Sequence, residues 1–289
     1  MSEPRQVLVG YQGTDGAYSQ IAAEQHFAAQ SIVPVTRGYE SFAGLLAAVA
    51  KGEVQYAMQP IENTTAGSIN EAYDLLARMD LHLIGEEVLR VQHCLLGLPG
   101  SKLENIRRVF SHPQALAQCS EALGAMPNCA VQAFTDTAMS VTKVRDEADP
   151  SQAAVASERA GQLYGLSVLS RAIANQEFNY TRFVVVAPAP RDFAVGEACK
   201  TSLIFTTKHE RGALVRCLNI LADADLNLTK LESRPRPETP WEYLFYVDFE
   251  GNKAEPKVRE ALAGVEQQTT FFKLLGSYPM RTRRSGLAP

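Results

Sequence analysis

From the N-terminus to Pro190, short β-branched apolar runs alternate with alanine-rich stretches. The runs Val7–Val9, Val54–Met58, Arg108–Phe110, Ala153–Val155 and Phe183–Val186 predict strands. The stretches Ala17–Ala28, Ser41–Lys51, Ser68–Arg78, Pro113–Leu123 and Asp136–Arg145 predict helices. Strand-helix repetition implies a largely parallel α/β sheet covered on both faces, as one sheet or as two lobes. The long extended stretch Leu81–Leu98 is placed to cross between lobes.

The pattern changes after Ala187-Pro188-Ala189-Pro190-Arg191-Asp192. Paired prolines continue neither strand nor helix, so a linker is expected from here to about Lys200. Beyond it Thr201–Thr207 reads as a strand, and Leu214, Leu218 and Leu221 put one apolar stripe on a helix over Gly212–Ala222. Leu226–Leu231 and Glu242–Glu250 read as strands around a loop holding Pro235, Pro237 and Pro240. Pro256–Gln267 carries Val258, Leu262 and Val265 on one helical face, and Thr270–Tyr278 is a last strand. The order βαββαβ is that of a ferredoxin-like sandwich with one open sheet face, which invites pairing with a second copy. Two domains are therefore expected, 1–190 and 200–280.

Composition narrows the function classes. The segment 1–190 carries 13 basic and 19 acidic side chains, a balance of -6; the segment 191–289 carries 15 and 13, a balance of +2. Neither part has the basic excess of a nucleic-acid binder. No apolar run approaches the length of a membrane span. Val7–Gly10 is too short for the apolar core of a signal peptide, so a cytoplasmic location is expected. The five cysteines, Cys94, Cys119, Cys129, Cys199 and Cys217, show no C-x-x-C spacing and read as buried thiols. No metal and no cofactor is expected.

Four strand-to-helix junctions in the first domain are unusually polar: Gly13–Ser19, Pro60–Ser68, Ser111–Gln114 and Thr135–Ala138. Each reads either as an ordinary helix cap or as part of an anion site, since a helix N-terminus binds anions through backbone N–H groups. Asn179-Tyr180-Thr181-Arg182-Phe183, before an apolar strand, is a fifth polar feature. Arg182 either guards a sheet edge or grips a carboxylate with two parallel hydrogen bonds.

The same words carry a resemblance. Asn179–Phe183 resembles the N-x-T-R-F signature of the prephenate dehydratases. Pro60–Gly67 is similar to their P-I-E-N-[ST]-x-x-G, Ser111–Cys119 to S-H-P-Q…Q-C, and Gly13–Ser19 to G-x-x-G-x-[FY]-S. Gly212-Ala213-Leu214-Val215 and Glu232-Ser233-Arg234-Pro235 resemble the G-A-L-V and E-S-R-P motifs of the attached ACT regulatory domain. Asp136-Thr137-Ala138 departs from the usual Ser-Thr-Ala, and Asn175 stands where many members have Asp.

The resemblance implies a two-lobed fold like a periplasmic binding protein, plus the ACT domain, and a monofunctional chain, since no chorismate mutase helix precedes Val7. It implies conversion of prephenate to phenylpyruvate, water and carbon dioxide. Thr181 would donate to the leaving hydroxyl, with Glu62 and His112 as rival acids; Glu62 would need a raised pKa. Asn63, Ser111 and Gln118 would supply neutral hydrogen bonds, Arg182 and helix N-termini would hold carboxylates, and Thr64, Gly67, Thr137 and Phe183 would line the site. L-Phenylalanine would bind at Gly212–Val215 with Asn227, Leu228 and Glu232–Pro235, between copies of a homodimer or homotetramer. The alternatives are an arogenate dehydratase, since Trp241–Phe249 and Leu275–Pro279 resemble plant-type members as well as bacterial ones, and a non-catalytic amino-acid sensor.

Overall fold

A computed structural model describes residues 6–236, 239 and 242–281. Of the loop expected after the strand at Leu226–Leu231, Pro237, Pro240 and Trp241 lie outside the described residues.

Three sheets organise the chain. The first has Gln6–Gln12 between Val33–Tyr39 and Tyr56–Asn63, both parallel to it; Tyr180–Ala187, His82–Arg90 and the two-residue strand Gly67–Ser68, paired with Tyr56–Asn63, complete it. The second runs in the order Ser167–Ser170, Cys94–Gly97, Gln152–Ala156, Arg108–Ser111, Ala130–Ala133. The expected first domain is thus two lobes, and neither sheet is largely parallel. Tyr180–Ala187 is antiparallel to both of its neighbours, and Cys94–Gly97 to both of its own. The reason is the double crossing. The chain leaves the first lobe along His82–Arg90, enters the second at Cys94, and returns along Tyr180–Ala187, which must run the opposite way.

The helices follow the expected stretches with local adjustments. Ser41 caps Phe42–Ala50 by accepting from Gly44 N, and Asp136 caps Thr137–Glu147 by accepting from Met139 N. Gly67–Ser68 is a short strand rather than helix, and Pro113–Leu123 breaks at Cys119 into Pro113–Gln118 and Ser120–Gly124. The helix Glu158–Tyr164 and the strands Val33–Tyr39, Ala130–Ala133 and Ser167–Ser170 lacked a sequence signal. The three strands lie at sheet edges and are exposed or short, so their side chains need no apolar period.

The third sheet pairs Asn227–Pro235, Tyr243–Glu250, Cys199–Thr207 and Thr269–Pro279 in that order, all antiparallel. Helices Ala213–Asp223 and Pro256–Gln267 cover one face through Cys217, Leu221, Val258 and Val265 against Leu203, Phe205, Val247 and Phe249. The other face is not open, as the sequence pattern suggested. Ile204, Tyr246, Leu275 and Tyr278 join one apolar cluster with Leu46, Leu76, Leu83 and Val184 of the first lobe. Contact is close enough that a Cβ on Gly276 would collide with the carbonyl oxygen of Leu83.

Candidate active site

All four polar junctions meet. Gly13, Ala17, Tyr18 and Ser19, Pro60 and Asn63, His112, Gln114, Ala115 and Gln118, and Thr135, Asp136 and Thr137 line one cavity of about 410 Å³ between the lobes, floored by Thr181 and Phe183. Among the described residues its wall has no lysine or arginine. The helix Tyr18–Ala28 opens toward it, and its N-cap Ala17 supplies no side-chain cap. Its first N–H groups are thus left for an anion.

The two lobes also touch directly. Ser157 Oγ donates to Gly16 O at 3.0 Å, and Tyr164 Oη to Asp15 O at 2.9 Å. Gly16 sits at φ +88°, where a Cβ would press on Ala160 of the second lobe.

A neutral network crosses the floor. Asn63 Nδ2 donates to Thr181 Oγ1 at 3.0 Å and to Asn179 Oδ1 at 2.7 Å. Asn179 Nδ2 donates to Gln118 Oε1 at 3.0 Å, and Gln118 Nε2 to Thr65 Oγ1 at 2.6 Å. His93 Nε2 lies 2.9 Å from the same Gln118 oxygen, so it carries the proton there. His93 is buried; burial pushes its pKa down, against the opposing Gln118 bond, which keeps the ring neutral. With Asn63 occupying an acceptor site on Thr181 Oγ1, the hydroxyl proton is free to aim elsewhere.

Arg182 is not in the cavity, which corrects the expected carboxylate grip. Side chains alternate along a strand, so Thr181 and Phe183 face the cleft while Arg182 faces the third sheet. It is 5 % exposed. Its Nε donates to Glu62 at 3.0 Å, Nη1 to Glu86 at 3.3 Å and Nη2 to Asp248 at 2.5 Å. Lys230 Nζ adds 2.9 Å to Glu62 and Lys200 Nζ 2.9 Å to Glu86. Glu62 therefore lacks the raised pKa of an acid. Burial alone would raise it, but Arg182 and Lys230 together hold it below the ordinary carboxylate range.

Three more candidates lie off the wall. Ser111 is fully buried and donates to Val155 O at 2.6 Å. Thr64 is exposed and accepts from Tyr180 N at 2.9 Å, and Gly67, at φ +80°, turns the short hairpin. His112 is on the wall, with Nδ1 accepting from Gln114 N at 3.2 Å as a helix cap. Sequence reasoning passed over His93 and Tyr18 as chemistry; a lone histidine in an extended stretch carries no spacing signal.

A second cavity of about 290 Å³ lies against Gly212, Ala213, Leu214 and Val215, with Thr207, Glu242, Tyr243 and Phe245. Gly212, at φ +75°, is the N-cap of its helix. Asn227 and Leu228 pair with Glu250 and Phe249, at the opposite end of the sheet, so they cannot join Gly212 within one chain. Glu232 and Arg234 turn toward the first lobe, to Ser68 and Asp74. Ser233 and Pro235 are exposed at the sheet edge.

The sequence model for prephenate dehydratase matches residues 9–191. The chain belongs to the prephenate dehydratase family. Over 276 residues it is 38% identical to the bifunctional chorismate mutase/prephenate dehydratase of Escherichia coli, covering 96% of this chain and 72% of that one. It is 40% identical to arogenate dehydratase/prephenate dehydratase 2 of Arabidopsis thaliana, covering 98% and 75%. Among solved structures it resembles the prephenate dehydratase of Arthrobacter aurescens in complex with L-Phe, at TM-score 0.86, 28% identity and 95% and 90% coverage. It also resembles GqqA, described as a quorum quenching acylase, at TM-score 0.84, 34% identity and 94% and 97% coverage.

Within this family member the cysteines are free thiols. Cys94, Cys119, Cys199 and Cys217 are buried, and Cys129 is half-buried. Burial pushes the Cys119 thiol up to about 12, which removes it as a nucleophile. No group of three metal-ligating side chains occurs among the described residues. None of the described helices is long and apolar enough to cross a membrane.

Proposed function

We propose that the chain converts prephenate to phenylpyruvate, water and carbon dioxide. The observation that carries this is the Thr181 hydroxyl, held at its oxygen by Asn63 in an interlobe cavity without cationic side chains on its described wall. The ring carboxylate leaves as carbon dioxide and its bonding pair enters the ring. The hydroxyl leaves from the opposite ring carbon with its own pair and becomes water by taking up one proton, which solvent supplies and the Thr181 hydroxyl passes on or stabilises. Aromatisation drives the step, so the protein need only orient the dianion and stabilise the departing oxygen. Thr181 O–H is the donor; it strengthens its bond as charge develops and does not transfer a full proton unaided. Carboxylates are received by the N-terminus of Tyr18–Ala28 and by neutral donors such as Thr137, while Gln118 holds the floor network in place. Hydrolysis of an acyl amide would need an activated nucleophile. Among the described residues no serine, threonine or cysteine of the wall is hydrogen-bonded to an imidazole, which favours dehydration.

Purified chain given prephenate and arogenate separately tests the reading. Phenylpyruvate from the first at the higher kcat/KM supports it; preference for the second makes the chain an arogenate dehydratase, and turnover of neither makes it a sensor.

L-Phenylalanine is proposed to inhibit from the cavity at Gly212–Val215. The edge strand Asn227–Pro235 leaves Leu231 46% exposed, and Val215 and Tyr243 are exposed nearby. Two copies pairing these edges about a twofold axis bring Asn227 and Leu228 of one toward Gly212 of the other. A homodimer, or a tetramer of two such dimers, follows. The free thiols favour a cytoplasmic location. Calorimetry with L-phenylalanine, and sedimentation with and without it, test both claims.

A further inference from the structure

The ladder that carries Thr181 has a second face. In the pairing of Tyr180–Ala187 with Tyr56–Asn63, Thr181 lies opposite Asn63 and Arg182 opposite Glu62. The first pair forms the hydrogen bond at the cavity floor; the second is a salt bridge of 3.0 Å on the back. Immediately beyond, the register slips, because Phe183 pairs with Pro60 and leaves Ile61 over. Such a bulge lets one point of a ladder take its own orientation.

The third sheet presents a matching pair to that back face. Lys230 lies opposite Asp248, also next to a register slip, which falls between Leu228 and Lys230. Lys230 Nζ reaches Glu62 Oε2 at 2.9 Å and Asp248 Oδ2 accepts from Arg182 Nη2 at 2.5 Å. Two cross-strand pairs thus set four charges at the corners of a square, Glu62–Arg182–Asp248–Lys230, whose Asp248–Lys230 side is the strand pairing itself; Lys230 Nζ also meets Glu232 at 3.1 Å. Three of its corners are 11% exposed or less at their side chains, Asp248 and Arg182 at 5% each. A buried guanidinium with carboxylates on three sides has one low-energy placement, because its donors are fixed in a plane. Its Cα is adjacent to that of Thr181.

We infer that Asp248 and Lys230, both outside the cleft, are positioning residues of the reaction: through Arg182 and Glu62 they set the Thr181 hydroxyl against Asn63. The inference rests on the proposed dehydration. It means that the third sheet forms part of the active site's support and is more than an attached ligand sensor. A displacement near 1 Å at a reacting group costs about a hundredfold in rate.

The test is a double-mutant cycle on the full chain. Asp248→Asn removes the charge opposite Arg182, and Asp248→Glu keeps it on a longer arm. Lys230→Met removes the other limb. Lys273→Met is the control, because Lys273 Nζ bonds Leu76 O at 2.8 Å across the same interface without touching the square. Expected are a kcat lowered roughly ten- to a hundredfold in Asp248→Asn with KM nearly constant, partial rescue in Asp248→Glu, and wild-type kcat in Lys273→Met. In a Thr181→Ala background Asp248→Asn should cost nothing further, because the group it positions is gone. An equal loss in both backgrounds, or an unchanged kcat, overturns the inference. Should Asp248→Asn not fold, Asp248→Glu and Lys230→Met carry the same cycle. Wild-type chain that forms no phenylpyruvate removes the functional reading and this inference with it. An active wild type with a silent square removes the inference alone.

Discussion

The two faces of the strand Tyr180–Ala187 are made of opposite materials. Toward the cleft, Thr181 and Phe183 meet amides, hydroxyls and a neutral imidazole. Toward the third sheet, Arg182 meets three carboxylates, followed by Val184 and Val186 in an apolar core. One residue along the chain separates a site where charge is to be handled from a site where charge is already neutralised. The difference teaches that a motif's ionic residue need not face the substrate. A cation able to grip a carboxylate is equally able to fix the backbone that carries the reacting group.

The sharpest way to break the comparison is Thr181→Ala. The loss of one donor to a developing oxyanion typically costs about 10²–10³ in kcat. KM should scarcely change and Thr181→Ser should retain much of the rate; steady-state kinetics check this, and a variant within threefold of wild type removes the cleft face from the chemistry. Next is Arg182→Met, which leaves Glu62, Glu86 and Asp248 without their shared cation. Removing one partner of a buried ion network costs about 3–5 kcal/mol, so denaturant melts should show a large fall in stability. An Arg182→Met enzyme of normal stability with only a raised KM would return the arginine to substrate binding.

Acid sharpens the same contrast. The folded-state pKa of Glu62 lies below its ordinary 4.5. Its pairing therefore stabilises the fold fully above about that pH and is lost as pH falls through the lower folded value. The neutral state of His93 acts in the same sense but earlier. Its pKa is depressed below 6.5, so its share is present above 6.5 and declines as pH drops beneath it. Melting temperature followed from pH 7 to about 2 should fall in two stages, the His93 one below 6.5 and the Glu62 one only below 4.5, and His93→Gln should flatten only the first. A single stage unaffected by His93→Gln would mean that the ring is not held neutral. The smallest effect should come from Gly212→Val. It forces a β-branched residue to φ +75° at the second cavity, and should weaken phenylalanine inhibition while leaving kcat alone.

Much of this was legible in the sequence. The alternation of strands and helices marked the lobes, and Leu81–Leu98 marked the crossing. The four polar junctions named most of the cavity wall before any geometry. What sequence did not reveal was orientation. Arg182, Glu62 and Asp248 meet from strands far apart in the chain, and period-2 alternation tells that Thr181 and Arg182 part company without telling which face is wet. The sheet face of the C-terminal unit read as open for the same reason, since Tyr246 and Tyr278 share their apolar cluster with Leu46, Tyr73 and Leu83, far earlier in the chain. Ser111 was chosen for its hydroxyl, but the carbonyl that claims it belongs to Val155 on a neighbouring strand.

The absence of lysine and arginine from the described cavity wall has a kinetic consequence. The chain is itself acidic, at -4, and the part that forms the two lobes is more so. A doubly negative reactant approaching this surface gains no long-range attraction; the field of a helix end fades within its first turn. Encounter is mildly opposed until the molecule is already inside. Raising ionic strength from about 0.01 to 0.15 M shortens the screening length from roughly 30 to 8 Å. Added salt should therefore leave kcat/KM level or lift it slightly, where an arginine-lined funnel would lose rate.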